Sequence, residues 1–111
     1  MKISLDAIER GLVACLDGRL DGISSPEFRD KLLAWIDAGH KNVIIDCALL
    51  SYVSSAGLRV FYQALDKLEE KEGAILFCRV SEDVKRVFDM VDMDADFPIF
   101  PTREEALKQL R

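Results

Sequence analysis

Hydrophobic and polar positions along this chain switch repeatedly between two periods. Ile3, Leu5 and Ala7 alternate with polar neighbours, which predicts a half-buried strand. After the turn at Arg10-Gly11, the run Leu12-Val13-Ala14-Cys15-Leu16 predicts a second, more buried strand, close enough to form a hairpin. Gly18 to Ser24 reads as a loop. Ser25 then stands where an N-cap is expected, with Pro26 at the first helical position, where its missing N–H is not needed. Phe28, Leu32 and Trp35 or Ile36 keep helical spacing as far as a stop at Gly39. Val43-Ile44-Ile45 is short, apolar and β-branched, the pattern of a central parallel strand.

The second half repeats the alternation. Leu58, Phe61, Leu65 and Leu68, with Ala64 beside them, predict a helix from Ala56 to Glu72 ended by Gly73. Ala74 to Cys78 is the next strand. Ser81-Glu82-Asp83 opens a third helix with acids in its first turn and a buried face of Val84, Val87, Phe88 and Val91. Phe97-Pro98-Ile99-Phe100 predicts an edge strand, since its proline cannot donate to a ladder. Thr102 to Glu105 forms a capping box for a last helix carrying Ala106, Leu107 and Leu110. The order ββαβαβαβα predicts one α/β domain over residues 1–111, with five strands and four helices. Its sheet is mostly parallel, with an antiparallel N-terminal strand.

Composition narrows the function. The formal charge of −5 argues against nucleic acid and anionic membranes, which need a basic face. No apolar run approaches the roughly 18 residues of a membrane span, and the N-terminus lacks the apolar core of a signal peptide. Cys15, Cys47 and Cys78 form no C-x-x-C pair and read as small buried hydrophobes of a reducing compartment. A cytoplasmic protein is expected.

Catalytic patterns are incomplete. Val53-x-Ser55-x-Gly57 lacks the leading glycine of a nucleophile elbow. The one histidine, His40, lies before a strand, at the sheet end opposite the expected place of Ser55. Asp92-x-Asp94-x-Asp96 begins like a calcium loop but continues with Phe97 and reaches Arg103 where a glutamate is needed, so it reads as a solvated acidic turn. Neither a P-loop nor a dinucleotide fingerprint is present. Asp17, Asp21 and Asp46 only loosely mimic a phospho-acceptor cluster, and Asp46 is expected to cap amides of the following loop. No enzyme, cofactor or metal is therefore expected. The remaining candidate is Ser54-Ser55-Ala56-Gly57-Leu58-Arg59. Small residues enter a helix there, and either serine can cap it. An added phosphate would also be held well at that end.

Four segments, taken in order, resemble the STAS domain family: Gly18-Arg19-Leu20-Asp21, Ser25-Pro26-Glu27-Phe28-Arg29, Val43-Ile44-Ile45-Asp46 and Tyr52-Val53-Ser54-Ser55-Ala56-Gly57-Leu58-Arg59. The ending from Phe97 to Leu107 is similar to the last strand and helix of that family. The family includes bacterial anti-sigma factor antagonists and cytosolic domains of sulphate transporters. In the antagonists, a serine or threonine opening the second helix is phosphorylated by an anti-sigma factor that is itself a serine kinase. The common form reads Asp-Ser-Ser-Gly-Leu. Aligned on Gly57, the acceptor falls on Ser55, the aspartate position is held by Ser54, and the second serine by Ala56. The resemblance thus implies phosphorylation at Ser55. It implies a partner surface of Asp21, Ser54, Ser55, Ala56, Gly57 and Arg59, and a serine phosphatase to reset the switch. The same domain also serves as a non-catalytic subunit of lipid-transport ABC complexes and as a stress-signalling scaffold.

Overall fold

The computed structural model describes residues 1–110. Its elements run β1 (Lys2–Ile8), β2 (Gly11–Leu20), α1 (Ser25–Asp37), β3 (Asn42–Val53), α2 (Ser55–Glu70), β4 (Ala74–Cys78), α3 (Glu82–Met90), α4 (Met93–Asp96), β5 (Ile99–Phe100) and α5 (Arg103–Lys108). The five strands lie side by side in chain order, β1 antiparallel to β2 and the rest parallel. This is the expected α/β architecture, with β5 at an edge as Pro98 requires.

Alternation along the central strands divides the interior between two faces. Ala14, Ile45 and Phe77 point into the main core with Phe28, Leu32 and Ile36 of α1, Phe61, Ala64 and Leu68 of α2, and Val84 and Phe88 of α3. Val13, Ile44 and Leu76 point the other way, toward Ala106 and Leu110 of the last helical segment. Phe61 and Phe77 meet edge to face at 4.9 Å between ring centroids, which ties α2 to β4.

Several boundaries differ from the sequence reading. β2 continues through Gly18-Arg19-Leu20, where a loop was expected, and β3 continues past Asp46 to Val53. The two extensions pair with each other, Gly18 to Leu50, Arg19 to Tyr52 and Leu20 to Val53, with register irregularities at Cys15/Asp17 and Gly18/Arg19. Pairing supplies the hydrogen bonds that hold polar, glycine-bearing residues in a strand. Ser25 is not the cap of α1 but its first residue, and is buried. α2 stops at Glu70, because Glu72 turns left-handed and the Gly73 N–H returns to the Leu68 carbonyl at 2.7 Å.

The acidic turn at Asp92 to Asp96 contains α4, a single helical turn anchored by fully buried Met93. Its Asp96 accepts a 2.7 Å hydrogen bond from the Tyr62 hydroxyl. Leu5 and Val91 were expected to face the core, but both are exposed. Thr102 caps α5 as expected, accepting from the Glu105 N–H at 3.1 Å.

Candidate functional site

The paired extensions of β2 and β3 end together. The Ser54 N–H donates to the Leu20 carbonyl at 2.8 Å, so the two departing loops start side by side. Asp21 and Ser55 each lie one residue beyond that bond. Ser54 keeps an extended backbone, and its hydroxyl accepts from the Gly57 N–H at 3.3 Å. Ser54 is therefore the N-cap of α2, which leaves Ser55 without a capping duty. Ser54→Ala should lower stability by about 1 kcal/mol, read from the urea midpoint, and Ser54→Asp should restore it, since aspartate caps equally well.

Ser55 occupies the first helical position and is exposed. Among the described residues its hydroxyl makes no hydrogen bond to the protein. Ala56 beside it is half-buried and small. Gly57 is buried, and a Cβ there would stand 2.8 Å from Leu20 Cδ2 and 3.0 Å from Val53 Cγ2. Arg59 is exposed one turn beyond Ser55. Arg59 lines a groove between α1 and α2 with Ser25, Arg29, Ala56 and Gln63.

Asp21 organises the neighbouring loop. Its Oδ1 accepts from the Ser24 and Ile23 N–H groups, both at 3.0 Å. These backbone hydrogen bonds, Ser24 first, hold the carboxyl below its ordinary range, so it is ionised at neutral pH. Ser24 closes the same turn: its hydroxyl donates to the Arg19 carbonyl at 2.7 Å and accepts from the Asp21 N–H at 3.0 Å. The turn pushes Ile23 outward to 91% exposure. Leu49 and Tyr52 on the β3 extension are also exposed, with the Arg19 guanidinium 4.2 Å from the centre of the Tyr52 ring. The sequence reading missed this apolar group. Ile23 stands alone among loop residues, and the register irregularities turn Leu49 outward where plain alternation does not place it.

The structure therefore brings Asp21, Ser54, Ser55, Ala56, Gly57 and Arg59 to one end of the sheet. It gives Asp46 a different role from the expected loop cap. Asp46 is buried inside β3, where its carboxylate accepts from Arg79 Nη2 at 2.6 Å and from Arg103 Nη2 at 2.9 Å. Only its bond from the Ala48 N–H, at 3.1 Å, matches the expectation. Burial pushes its carboxyl up, but Arg79, the Ala48 amide and Arg103 outweigh burial and hold it below the usual range.

Cys15 is half-exposed rather than buried and lies 3.0 Å from Arg103 Nη2, whereas Cys47 and Cys78 are buried and burial raises both thiols. His40 lies between α1 and β3, beside Glu9, Arg10 and Asn42, at the strand end away from Ser55. Among the described residues, no three His, Cys, Asp or Glu side chains gather to hold a metal ion. No helix among them is long and apolar enough to cross a membrane.

The family model of the STAS domain matches residues 2–106. The chain belongs to the STAS domain family. A Bordetella bronchiseptica protein named as the anti-sigma factor antagonist BtrV is 33% identical over 106 residues, covering 96% of this chain and 91% of that one. A Thermotoga maritima protein, described in its crystal structure as an anti-sigma factor antagonist, shares the fold at a TM-score of 0.94. It is 16% identical, over 98% of this chain and 94% of the other. The Bacillus cell fate determinant SpoIIAA, solved in its phosphorylated form, shares it at a TM-score of 0.79. It is 24% identical, over 99% of this chain and all of the other. The long β2–β3 ribbon and the helix opening at Ser55 are therefore parts of a STAS domain.

Proposed function

We propose that this chain is an anti-sigma factor antagonist that binds an anti-sigma serine kinase when Ser55 is unmodified and releases it when Ser55 carries phosphate. The observation that carries this reading is the division of labour between the two serines. Ser54 caps the helix, and Ser55 stands exposed at its first position with no structural duty. The BtrV relative carries the antagonist name, and SpoIIAA, with the same fold, exists in a phosphorylated form.

The physical chemistry suits a release switch. Ala56 and Gly57 leave the helix opening low, so a partner can approach Ser55 closely. Ile23 offers that partner an apolar anchor beside the ionised Asp21. Phosphate adds about −1.5 to −2 charges. The α2 N-terminus stabilises those charges locally, so the fold is kept. An interface closed over Ser55 is not kept, because a desolvated dianion without a partner cation is costly and Asp21 repels it. The switch works in the cytoplasm with a serine phosphatase as its reset.

Two measurements test this. Site mapping by mass spectrometry on protein from its native cells is expected to find phosphate on Ser55. Against the purified kinase, Ser55→Ala should bind like the unmodified chain and Ser55→Asp at least tenfold more weakly. Equal affinity of all three forms would exclude the switch.

A further inference from the structure

β1 lies at an edge of the sheet, with β2 as its only ladder partner among the described residues, and five of its seven residues are exposed. Every second residue of an edge strand turns its N–H and C=O outward, a ready template for another strand. Such an edge is commonly blunted by a proline, a bulge or a charge that an incoming strand cannot match. β1 holds no proline, and its register with β2 runs unbroken from Lys2↔Asp17 to Ile8↔Gly11. Only its two charges, Lys2 and Asp6, remain as guards. Lys2 makes no ion pair among the described residues.

Those two charges are complementary to each other under a two-fold axis. Two copies of β1 related by an axis perpendicular to the sheet run antiparallel, and residues directly opposite share a face. With the axis at Ser4, Lys2 of each copy stands opposite Asp6 of the other, Ile3 opposite Leu5, and Met1 opposite Ala7. An axis at Leu5 instead sets Lys2 against Ile8 and Asp6 against Ser4, and an axis at Ile3 leaves Asp6 without an opposite residue. The charged face is the one on which Asp6 reaches Arg103 of its own chain at 3.5 Å while staying 60% exposed. On the other face Ile3 packs partly against the main core, and Leu5, exposed in the single chain, gains Ile3 of the second copy as cover.

We propose that β1 is a dimerisation edge, at which two copies of this chain pair antiparallel about Ser4 and join their sheets, with the Lys2–Asp6 pair made twice by symmetry. Opposite charges directly across a ladder stabilise it, and like charges there oppose it. β2 separates this edge from β3 and from the Ser55 that follows it, so the two are separate surfaces. Each copy carries a formal charge of −5, so association works against mutual repulsion and is expected to be weak.

The test is sedimentation equilibrium of the full chain from about 10 µM to about 1 mM, the span of weak association. A monomer–dimer equilibrium is expected. Lys2→Asp sets two like-charge pairs across the axis and should weaken the dimer about fivefold or more. The double variant Lys2→Asp/Asp6→Lys exchanges the charges and should recover most of that loss, which a non-specific contact cannot do. Asp6 also meets Arg103, so urea midpoints check that the double variant keeps its fold, and a second measurement needs no variant. In an equal mixture of isotope-labelled and unlabelled chain, isotope-filtered NOEs are expected from the Leu5 methyls of one copy to Ile3 of the other. A chain that stays monomeric throughout, a dimer that Lys2→Asp leaves as tight, or a dimer without the Leu5–Ile3 NOEs overturns the proposal. So does a double variant that keeps the parent's urea midpoint and dimerises no better than Lys2→Asp.

Discussion

Gly57→Val is expected to destabilise the chain by about 3 kcal/mol, the upper end of what overpacking a core costs. A Cβ at this position already stands 2.8 Å from Leu20 Cγ and Cδ2 and 3.0 Å from Val53 Cγ2. Leu20 is fully buried and Val53 is 2% exposed, so neither can retreat without moving the strand pair beneath. Valine adds two methyl groups and gains little helix propensity over glycine. Gly57→Ala is the more discriminating variant. Alanine gains about 1 kcal/mol of propensity in a helix, against a clash of about 1–3 kcal/mol. A net loss is expected, smaller than for valine, with the slope of the urea transition unchanged. An alanine variant more stable than the parent would show that close packing on Leu20 does not set this position. The consequence reaches function: α2 lies close enough to the β2–β3 ribbon to place Ser55 beside Asp21 only because residue 57 has no side chain.

How much of this was legible in the sequence depends on where each signal resides. Local chemistry read well. Pro26, Ser81 and Thr102 marked helix starts, and the stripe of Leu58, Phe61 and Leu68 marked the buried face of α2. What the sequence hid was set by partners distant along the chain. Gly18-Arg19-Leu20 has loop composition and becomes strand because Leu50, Tyr52 and Val53 pair with it. Met93 looks like part of an acidic turn, and it anchors α4 because the main core has a place for it. Of the site, the positions around Ser55 were legible as a motif. Which serine caps and which stays free was not, since one hydrogen bond to the Gly57 N–H decides it. The role of Asp46 was least legible, for its arginines stand 33 and 57 residues away.

Asp46→Ala should destabilise by about 3 kcal/mol, the low end of the range for breaking a buried ion pair. Asp46 is 1% exposed, while the Arg79 and Arg103 side chains are 47% and 30% exposed. The arginines can turn toward water, which keeps the loss from being larger, but the Ala48 N–H loses its acceptor. Arg103 also reaches Asp6 at 3.5 Å, so the cluster joins β1, β3, the residue after β4 and the start of α5. It further holds Arg79 in its left-handed conformation, at φ 56°, with the Arg79 N–H on the Phe100 carbonyl at 3.2 Å. The prediction concerns removal of one member. Replacing all three residues by well-packed apolar side chains is a different experiment and can be close to neutral. The pH dependence gives the sharper check. The folded carboxyl is held below its unfolded value of about 4. Its contribution is therefore fully present above that value and is lost as pH falls through the folded pKa. The stability gap between the parent and Asp46→Asn, measured by urea midpoints, should be flat from pH 7 to about pH 5 and shrink below about pH 4. A gap unchanged down to pH 3 would mean that the carboxylate charge is not what holds these elements together. The arginines would then owe their positions to packing alone.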